Sequence, residues 1–311
     1  MQHPANVSVG VATHTGRVRR VNEDDYLLCA PQTTDEAERM GWIVAIADGM
    51  GGAVGGAEAS RTAVRAATRP LLDACPTNGA SNPVSRMRDG FAAAVAEVFQ
   101  LSQENLNLRG MGTTLTIINL LGARMVLGHV GDTRCLRIRG GSVEQLSVDH
   151  AVREPDNYLT RCIGAGQREV EADIEEYDVQ DGDRLVLMTD GLWSLVSDRE
   201  TRVIVEAMSS QDAANELVRL ANSNGGPDNS TVIIVHVLST RSPSARDEAL
   251  VQVELPAEEV LQPSMMLPPG RDLIPSRWPW ALLVLGLVLL AAGIAKWFEI
   301  DVLAWLLSRF R

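Results

Sequence analysis

One stretch of the sequence decides the fold: residues 42–52 read WIVAIADGMGG. The first six residues are all apolar. They lack the alternation of apolar and polar residues that is typical of a strand with one solvent-exposed face. Such a run predicts a strand that is covered on both faces. Asp48 follows directly and opens a glycine-rich turn. A carboxylate beside a buried strand end must be hydrogen-bonded, paired or bound to a cation, so the same stretch also predicts a functional site.

The same arrangement recurs at three other places along the chain. LVLMTDG contains Asp190, MVLGHVGDTR contains Asp132, and GGPDNSTVIIVHV places Asp228 just before an apolar run. Clustered carboxylates repel one another, and hard divalent cations such as Mg²⁺ or Mn²⁺ relieve that repulsion. The neighbouring glycines would let a backbone carbonyl approach a metal. The pattern therefore predicts a site for divalent cations at gathered strand ends.

A charged segment near the N-terminus extends this set. GRVRRVNEDDYLL contains Arg19 and Arg20 and, a few residues later, Glu23 and Asp24. Carboxylates that hold metals next to a guanidinium that binds phosphate oxygens are what phosphoryl transfer requires. Taken alone, the segment is equally typical of a solvated charged turn.

The periodicity of residues 1–240 indicates one α+β domain. Apolar runs of strand length lie at 7–12, 25–29, 42–47, 113–121, 124–130, 135–139, 184–188 and 231–237. Helical patterns lie at 56–73, 83–107, 198–208 and 210–223. Two long helices followed by several adjacent strands favour a layered α+β fold over alternating βαβ units.

Composition excludes some classes of function. The chain has 311 residues, with 28 Lys plus Arg against 40 Asp plus Glu, and a formal charge of −12. This acidic balance argues against nucleic acid as a partner, because phosphates need a basic face. The four cysteines form no Cys-x-x-Cys pair, which argues against a zinc site and indicates reduced thiols in a reducing compartment.

The C-terminal part changes character. Residues 241–277 are rich in proline, which predicts a semi-extended linker, or a segment that packs on the domain. Residues 278–297, WPWALLVLGLVLLAAGIAKW, have the length and aromatic ends of a transmembrane helix rather than a core helix. Residues 298–311 form a short amphipathic tail, which could lie in the membrane interface or return as a hairpin. Without a signal peptide, we expect a single-pass C-terminal membrane anchor with the catalytic domain in the cytoplasm.

Eight short segments resemble, in order, the motifs of the PPM family, the metal-dependent type 2C protein Ser/Thr phosphatases. They read GRVRRVNEDD, ADGMGG, MGTTL, VGDTR, DHA, NYLTRCIGA, LVLMTDGLW and GGPDNSTVIIV, and they span residues 16–235. The resemblance implies a four-layer α-β-β-α sandwich, in which two antiparallel sheets are flanked by helices. It also implies two core metal ions, Mn²⁺ or Mg²⁺, and hydrolysis of phosphoserine and phosphothreonine by a metal-activated water without a phosphoenzyme.

Carried over residue by residue, the resemblance assigns Asp48 as the ligand that bridges the two metals. The carbonyl of Gly49 would bind one of them, and Asp190 and Asp228 would complete the first metal's ligands, directly or through water. Arg19 matches the arginine that binds the phosphate. Arg19 and Asp48 are therefore the candidate catalytic residues.

Three further acidic positions complete the implied metal set. Glu23 and Asp24 match the acidic pair that serves the second metal, partly through water. Asp132 matches the aspartate that bacterial members use, together with Asp190, for a looser third metal.

The sequence departs from the family at two points. Met50 stands where many eukaryotic members have a histidine. A histidine at this position therefore cannot be the proton donor in this chain. Only residues 151–156 separate the Asp-His motif from the Asn-x-x-Thr-Arg motif, so most of the mobile flap of bacterial relatives is missing. We expect an open site, and the short segment leaves the third metal undecided. His150 is expected to fix its loop, and Thr113 and Thr114 are expected to support the turns that carry the metal ligands.

The sequence therefore predicts a membrane-tethered protein Ser/Thr phosphatase that acts on phosphoproteins and opposes a Ser/Thr kinase of the same cell. Two alternatives remain at this stage. One is a catalytically silent scaffold that binds phosphoproteins, which would normally have lost a metal ligand. The other is a small-molecule phosphatase on the same fold.

Overall fold

The computed structural model describes residues 6–51, 55–73, 82–153 and 158–240 of the chain. The strands are β1 Asn6–His14, β2 Asp25–Cys29, β3 Trp42–Ala47, β4 Gly49–Met50, β5 Gly112–Thr113, β6 Leu115–Leu121, β7 Arg124–Val130, β8 Arg134–Arg139, β9 Ser142–Gln145, β10 Ala151–Val152, β11 Tyr158–Leu159, β12 Ile163–Gly164, β13 Asp173–Asp178, β14 Arg184–Met188 and β15 Ser230–Ser239. The helices are α1 Thr34–Arg39, α2 Gly55–Leu72, α3 Pro83–Glu104, α4 Asp190–Trp193, α5 Asp198–Ala207 and α6 Ser210–Ser223, with a 3₁₀ turn at Leu106–Leu108.

Two five-stranded sheets form the body of the domain. One has the strand order β1-β15-β14-β8-β9, and the other has the order β13-β7-β6-β3-β2. The pairings within both sheets are antiparallel, as the α+β prediction requires. In one sheet β3 and β7 therefore end on the same side, and in the other β15 begins where β14 ends. Within each sheet, this arrangement brings the strand ends that carry aspartates to one side.

Strand β3 shows why its sequence is apolar without interruption. Ile43 and Ala45 belong to the core that the sheet shares with α2 and α3. Trp42 and Val44, on the other face, belong to the core between the two sheets. Because successive side chains point to opposite faces, a strand with a core on each side needs an apolar residue at every position.

Strand β15 has the same two-sided environment in the other sheet. Ile233 and Val235 face the core between the sheets. Val232 and Ile234 pack instead against α6, where Leu217 is fully buried. The described residues thus stack as helices, sheet, sheet and helices, which is the layered arrangement that the resemblance implies.

The structure differs from the sequence prediction in a few elements. The predicted strand 113–121 is two strands, interrupted at Thr114, and the predicted helix 83–107 ends at Glu104. Strand β13 was not predicted, because its sequence DIEEYD has the charged, half-exposed character of a sheet edge rather than an apolar run. The short helix α1 was missed for a related reason, since only Ala37 in it is buried.

The C-terminal predictions concern residues that the structure does not describe. The proline-rich linker 241–277, the transmembrane helix 278–297 and the tail 298–311 lie outside the described residues. Among the helices at residues 6–240 that are described, none has the length and apolar character needed to cross a membrane.

Gly10 allows β1 and α6 to approach closely, and this contact gives a test of the fold. A Cβ at Gly10 would lie 2.2 Å from the backbone carbonyl of Ser210 and 2.4 Å from the backbone nitrogen of Gln211. We expect Gly10→Val to lower the free energy of unfolding by at least about 2 kcal/mol, because backbone cannot move aside as a flexible side chain can. A thermal melt should show a fall in Tm of at least about 4–8 °C.

Ser8→Ala is the matched control for this substitution. Ser8 Oγ donates a hydrogen bond to Ser210 Oγ at 3.2 Å across the same contact. Removing that partly buried bond should cost only about 1 kcal/mol. Equal Tm values for Gly10→Val and the wild-type protein would show that β1 and α6 do not pack as described.

Candidate active site

A cavity of about 230 Å³ lies where the carboxylate-bearing strand ends meet. Its lining consists of Arg19, Glu23, Asp48, Gly49, Met50, Gly51, Thr114, Asp132, Tyr158, Leu159, Asp190 and Asp228. A larger cavity of about 770 Å³ lies between β1 and α6, but none of the described residues that line it carries a carboxylate. The smaller cavity is therefore the candidate active site, because it alone of these two gathers acidic groups around an arginine.

Asp48 is held in place through its backbone by the threonines between β5 and β6. Its N–H donates to Thr114 Oγ1 at 2.8 Å, and its carbonyl accepts from Thr114 N and Thr113 Oγ1 at 2.9 Å each. The Asp48 side chain lines the cavity, where it hydrogen-bonds with the side chain of Asp190. Thr113 and Thr114 thus occupy the supporting position that the sequence predicts for them.

Gly49 and Gly56 let the start of α2 press against this turn. A Cβ at Gly49 would lie 2.2 Å from the carbonyl oxygen of Gly56, and a Cβ at Gly56 would lie 2.3 Å from Glu23 Oε1. The Gly49 N–H donates to the Glu23 carbonyl at 3.1 Å. Glycine is required at both places because three chain segments meet here without room for side chains.

Asp190 and Asp228 are brought together by an equally close contact. A Cβ at Gly191, the second residue of α4, would lie only 1.9 Å from the carbonyl oxygen of Asn229. Asp190 begins α4 directly after β14, and Asp228 precedes β15, which pairs with β14. The pairing of β14 with β15 therefore determines the positions of both carboxylates.

Asn229 ties the loop that carries Arg19 to the last strand of the domain. Its side-chain nitrogen donates to the carbonyls of Thr15 and Val21 at 2.9 and 3.0 Å, and its oxygen accepts from Glu23 N at 2.8 Å. Asn229 is itself buried. One side chain thus fixes both ends of the segment between β1 and β2.

Arg19 lies at the rim of the cavity and contacts two of its carboxylates. Its Nη2 is 2.7 Å from Asp228 Oδ2, and its Nη1 is 3.9 Å from Glu23 Oε2. The negative charge of Asp228 is the main cause of the raised pKa of Arg19. Arg20 is exposed and does not line the cavity, so the structure brings only the first of the two candidate arginines to the site.

Asp24 lies behind the cavity rather than on its wall. Its Oδ2 accepts from Thr231 Oγ1 at 2.6 Å and from Thr189 Oγ1 at 3.1 Å. Burial raises the pKa of Asp24 to about 7, although the two threonine hydrogen bonds act in the opposite direction. A cation could reach Asp24 only through its second oxygen or through water.

Asp132 follows β7, and two histidines shape its turn. His150 Nδ1 accepts from the Gly131 N–H at 3.1 Å, and its Nε2 is 2.9 Å from Asp173 Oδ2. His129 bonds through Nε2 to the Val148 carbonyl at 3.0 Å, and burial lowers its pKa to about 4. Neither histidine lines the cavity. His150 holds the loop, as the sequence predicts.

The Asp132 carboxylate is already paired in the structure. Arg153 Nη2 lies 3.2 Å from Asp132 Oδ2. Asp132 was predicted to share a looser third metal with Asp190, and in the structure its Oδ2 is paired with a guanidinium. No sequence pattern indicates this pairing, since Arg153 lies outside the eight family motifs.

The acidic groups of the cavity cannot all ionise without a counter-charge. Burial, followed by the charges of Asp24 and Asp190, raises the pKa of Asp48 well above its usual range. Burial and the charge of Asp132 raise the pKa of Asp190 to about 6. These shifts show that bringing the carboxylates together is unfavourable in the absence of cations.

Three buried oxygens in and behind the cavity have no hydrogen-bond partner in the structure. They are Glu23 Oε1, Asp24 Oδ1 and Asp190 Oδ1. Oxygen atoms on acidic side chains fit hard cations such as Mg²⁺ or Mn²⁺. Within the described ranges, no three Asp, Glu, His or Cys side chains converge on one point. Mg²⁺ usually takes only one or two carboxylates and keeps several waters, so the residues present fit such an ion.

These pKa shifts predict how metal-dependent stability changes with pH. Asp24 and Asp190 ionise near pH 3.8 in the unfolded chain but near pH 7 and pH 6 in the fold, so the metal-free protein loses stability as the pH rises through that window. Bound cations require the ionised carboxylates and reverse the loss. At about 100 times its Kd, Mn²⁺ should add about 2.7 kcal/mol. The corresponding gain in Tm is about 5–10 °C.

The measurement is a set of thermal melts with Mn²⁺ and with EDTA. At about pH 5.5 the gain in Tm should be at most about half that at about pH 8, because protons compete with the cation. Asp89→Asn, in the exposed face of α3, removes a charge away from the cavity and should leave the gain unchanged. A gain that is larger at low pH would contradict the assignment of these carboxylates as ligands.

Tyr158 and Leu159 line the cavity and were missed by sequence reasoning. They form β11, which pairs with β10, so that the chain turns back after only a few residues. Tyr158 is 54% exposed and stands at the mouth of the cavity. The two strands have two residues each, too short to leave a periodic signal.

The described cysteines take no part in the site. Cys29, Cys135 and Cys162 are buried, and none of them lines the cavity. Burial raises the pKa of Cys29 to about 11 and that of Cys135 to about 12. A thiol with so high a pKa is not a nucleophile at neutral pH.

Comparison with known proteins gives the class of the enzyme. The chain belongs to the protein phosphatase 2C family, because the model of that family matches residues 17–223. The sandwich and its acidic cavity are thus those of a protein phosphatase.

Particular relatives agree with this class. The protein phosphatase PhpP of Streptococcus pneumoniae is 30% identical over 251 residues, which cover 74% of this chain and 97% of PhpP. The crystal structure of the serine/threonine phosphatase PstP/Ppp of Mycobacterium tuberculosis superposes with a TM-score of 0.65 at 28% identity, covering 74% of this chain and 98% of that one. The catalytic domain of PstP in complex with two manganese ions gives a TM-score of 0.64 at 27% identity and covers 75% of this chain and 99% of that one.

Proposed function

We propose that this protein hydrolyses phosphoserine and phosphothreonine in proteins with the help of two divalent cations, Mn²⁺ or Mg²⁺. The observation that carries the proposal is the single cavity in which five carboxylates surround one arginine. When bound there, the cations supply the Lewis acidity that generates a nucleophile from water at neutral pH. The residues that would hold them are Asp48, Asp190, Asp228, Glu23 and the carbonyl of Gly49, with Asp24 acting through its second oxygen or through water.

Arg19 is the group that binds the phosphate in this proposal. It is half exposed, and among the described residues it has Asp228 within hydrogen-bond distance. A planar guanidinium can donate two parallel hydrogen bonds to phosphate oxygens, and its charge then offsets the charge that builds up in the transition state. If Asp228 held a cation, its attraction for Arg19 would be weaker, and the guanidinium would be available to phosphate oxygens.

The shape of the entrance favours a phosphate carried on a protein. Strands β10 and β11 pair antiparallel, with Val152 opposite Tyr158, and this pairing supports the predicted loss of most of the flap. Tyr158 presents an aromatic ring at the open mouth. An extended peptide could lie across such an opening, whereas an enclosed pocket would suit a small metabolite.

Phosphate release from a phosphothreonine peptide tests the proposal. The full-length protein should release phosphate with Mn²⁺ or Mg²⁺ and none with EDTA, and it should prefer phosphopeptides to phosphorylated metabolites. Preference for the metabolites would favour a small-molecule phosphatase. A folded protein that binds phosphopeptide but releases no phosphate with any metal would favour a silent scaffold.

We further propose that residues 278–297 anchor the enzyme to a membrane, with the catalytic domain in the cytoplasm, where it opposes a Ser/Thr kinase. The support is the sequence: 20 residues with Lys296 as the sole charge and tryptophans at both ends.

Deleting residues 278–311 tests the anchor. The truncated protein should move from the membrane fraction to the soluble fraction and keep its kcat and KM on a phosphothreonine peptide. If it aggregates instead, the tail is part of the fold and the anchor proposal is wrong.

A further inference from the structure

Arg153 distinguishes the Asp132 side of the cavity from its other walls. It directly follows β10, and its Nη2 lies 3.2 Å from Asp132 Oδ2 and 2.9 Å from Asp149 Oδ2. Both carboxylates are largely buried, with exposed side-chain fractions of 8% and 17%. The guanidinium thus joins a cavity carboxylate to one outside the cavity.

The position of Arg153 is fixed from outside the cavity. Its Cζ lies 4.5 Å from the ring centroid of Trp193, and the Cζ of Arg134 lies 3.8 Å from the same centroid. Arg134 is bidentate on Asp149, with contacts of 3.1 and 2.8 Å. Trp193 donates its indole N–H to the Asp132 carbonyl at 3.0 Å. These cation–π and charge-assisted contacts hold the guanidinium in one place.

Arg19, the other arginine at the cavity, is held differently. Its contacts are with the cavity carboxylates themselves, Asp228 and Glu23. The contacts of Arg19 therefore depend on carboxylates that would themselves hold cations. A cation at Asp132 would not release Arg153, because Asp149 and Trp193 would still hold it nearby.

Asp132 already has positive charge beside it without a metal. Two guanidinium groups, Arg134 and Arg153, face two carboxylates, Asp132 and Asp149. Burial lowers the pKa of Arg153, but the two carboxylates more than reverse this, so its pKa is raised and it stays charged. A divalent cation at Asp132 would meet strong repulsion from a fixed positive charge at short range.

We propose that Arg153 supplies the positive charge at Asp132, so that the cavity takes two divalent cations and Asp132 is closed to a third. This rests on the metal centre proposed above and deepens it. Arg153 is a positioning residue in this role: it pairs with Asp132 Oδ2 and offsets the charge of that carboxylate.

The test counts the Mn²⁺ ions bound to the full-length protein by equilibrium dialysis over a wide range of free Mn²⁺. The wild-type protein should bind two. Arg153→Gln should bind a third, at least about tenfold more tightly than any third ion in the wild type. The double variant Arg153→Gln with Asp132→Asn should return to two. Arg134→Gln, which removes a guanidinium from the same tryptophan without uncovering Asp132, is the matched control and should also bind two.

Several outcomes would overturn the proposal. A third Mn²⁺ bound to the wild type as tightly as to Arg153→Gln would do so, and so would a count of two in folded Arg153→Gln. Should that variant not fold, Asp132→Asn in the wild-type background decides: the proposal requires a count of two, and the loss of an ion would refute it. A folded wild type that binds no Mn²⁺ would instead refute the metal centre itself, so the two failures are distinguishable.

Discussion

Asp48→Asn is expected to lower kcat/KM on a phosphothreonine peptide by at least about 10³-fold, or about 4 kcal/mol of transition-state stabilisation. Asp48 lines the cavity, and its backbone is fixed by Thr113 and Thr114. The amide keeps the shape of the side chain but removes the negative charge that two cations would share. The effect should therefore fall on turnover and metal affinity rather than on the fold.

Two further variants make this result specific. Asp190→Asn should also abolish turnover, since Asp190 Oδ1 is a buried oxygen with no hydrogen-bond partner. Asp89→Asn, on the exposed face of α3, changes the net charge equally and should leave kcat/KM unchanged. Melting curves in EDTA should show that both cavity variants are at least as stable as the wild type, because each loses a raised-pKa carboxylate. Wild-type turnover in folded Asp48→Asn or Asp190→Asn would exclude the metal assignment.

Arg19→Ala is expected to have the second largest effect, a fall in kcat/KM of about 10²–10³-fold. The guanidinium at the rim of the cavity would bind substrate phosphate and stabilise its developing charge. Arg19→Lys should recover only part of the loss, because an ammonium keeps the charge but not the two parallel donors. Steady-state kinetics on the phosphothreonine peptide give the comparison.

Arg20→Ala is the natural control for Arg19. The two arginines are adjacent in sequence and equal in charge, but Arg20 is exposed and does not line the cavity. It should change kcat/KM by less than about threefold, as expected for a distant charge that solvent screens. If Arg20→Ala proved as harmful as Arg19→Ala, the loop would bind phosphate through its overall charge, and the role given to Arg19 would be wrong.

The elements that were predicted correctly are those whose burial is evident from their own apolar residues. Strands β3, β14 and β15 are apolar throughout because each has a core on both faces, and this leaves an unmistakable run in the sequence. Asp48, Asp190 and Asp228 were identified for the same reason, since a carboxylate next to such a run must be hydrogen-bonded, paired or bound to a cation. Antiparallel pairing then brings those strand ends together.

What the sequence could not show depends on contacts between distant segments. In the sequence, Asp24 looks equivalent to Glu23. In the structure, Thr189, which follows β14, and Thr231 in β15 hold the Asp24 carboxylate behind the cavity. Tyr158 reaches the mouth through a hairpin with no periodicity. The ion pair of Arg153 with Asp132 arises from the path of one short loop. None of these follows from local pattern, because each requires the position of a partner elsewhere in the chain.

The pairing of β1 with β15 has a consequence for how the enzyme is made. The register joins Asn6 to Ser239, and Asn229 bonds to the Thr15 carbonyl across 214 positions of sequence. Synthesis proceeds at about 5–20 residues per second, so the first strand waits on the order of 10 seconds or more for its neighbour. Such long-range closure also makes folding slow. The nascent chain therefore lacks both Asp228 and the strand that pairs with β1 until residues 228–239 have been synthesised.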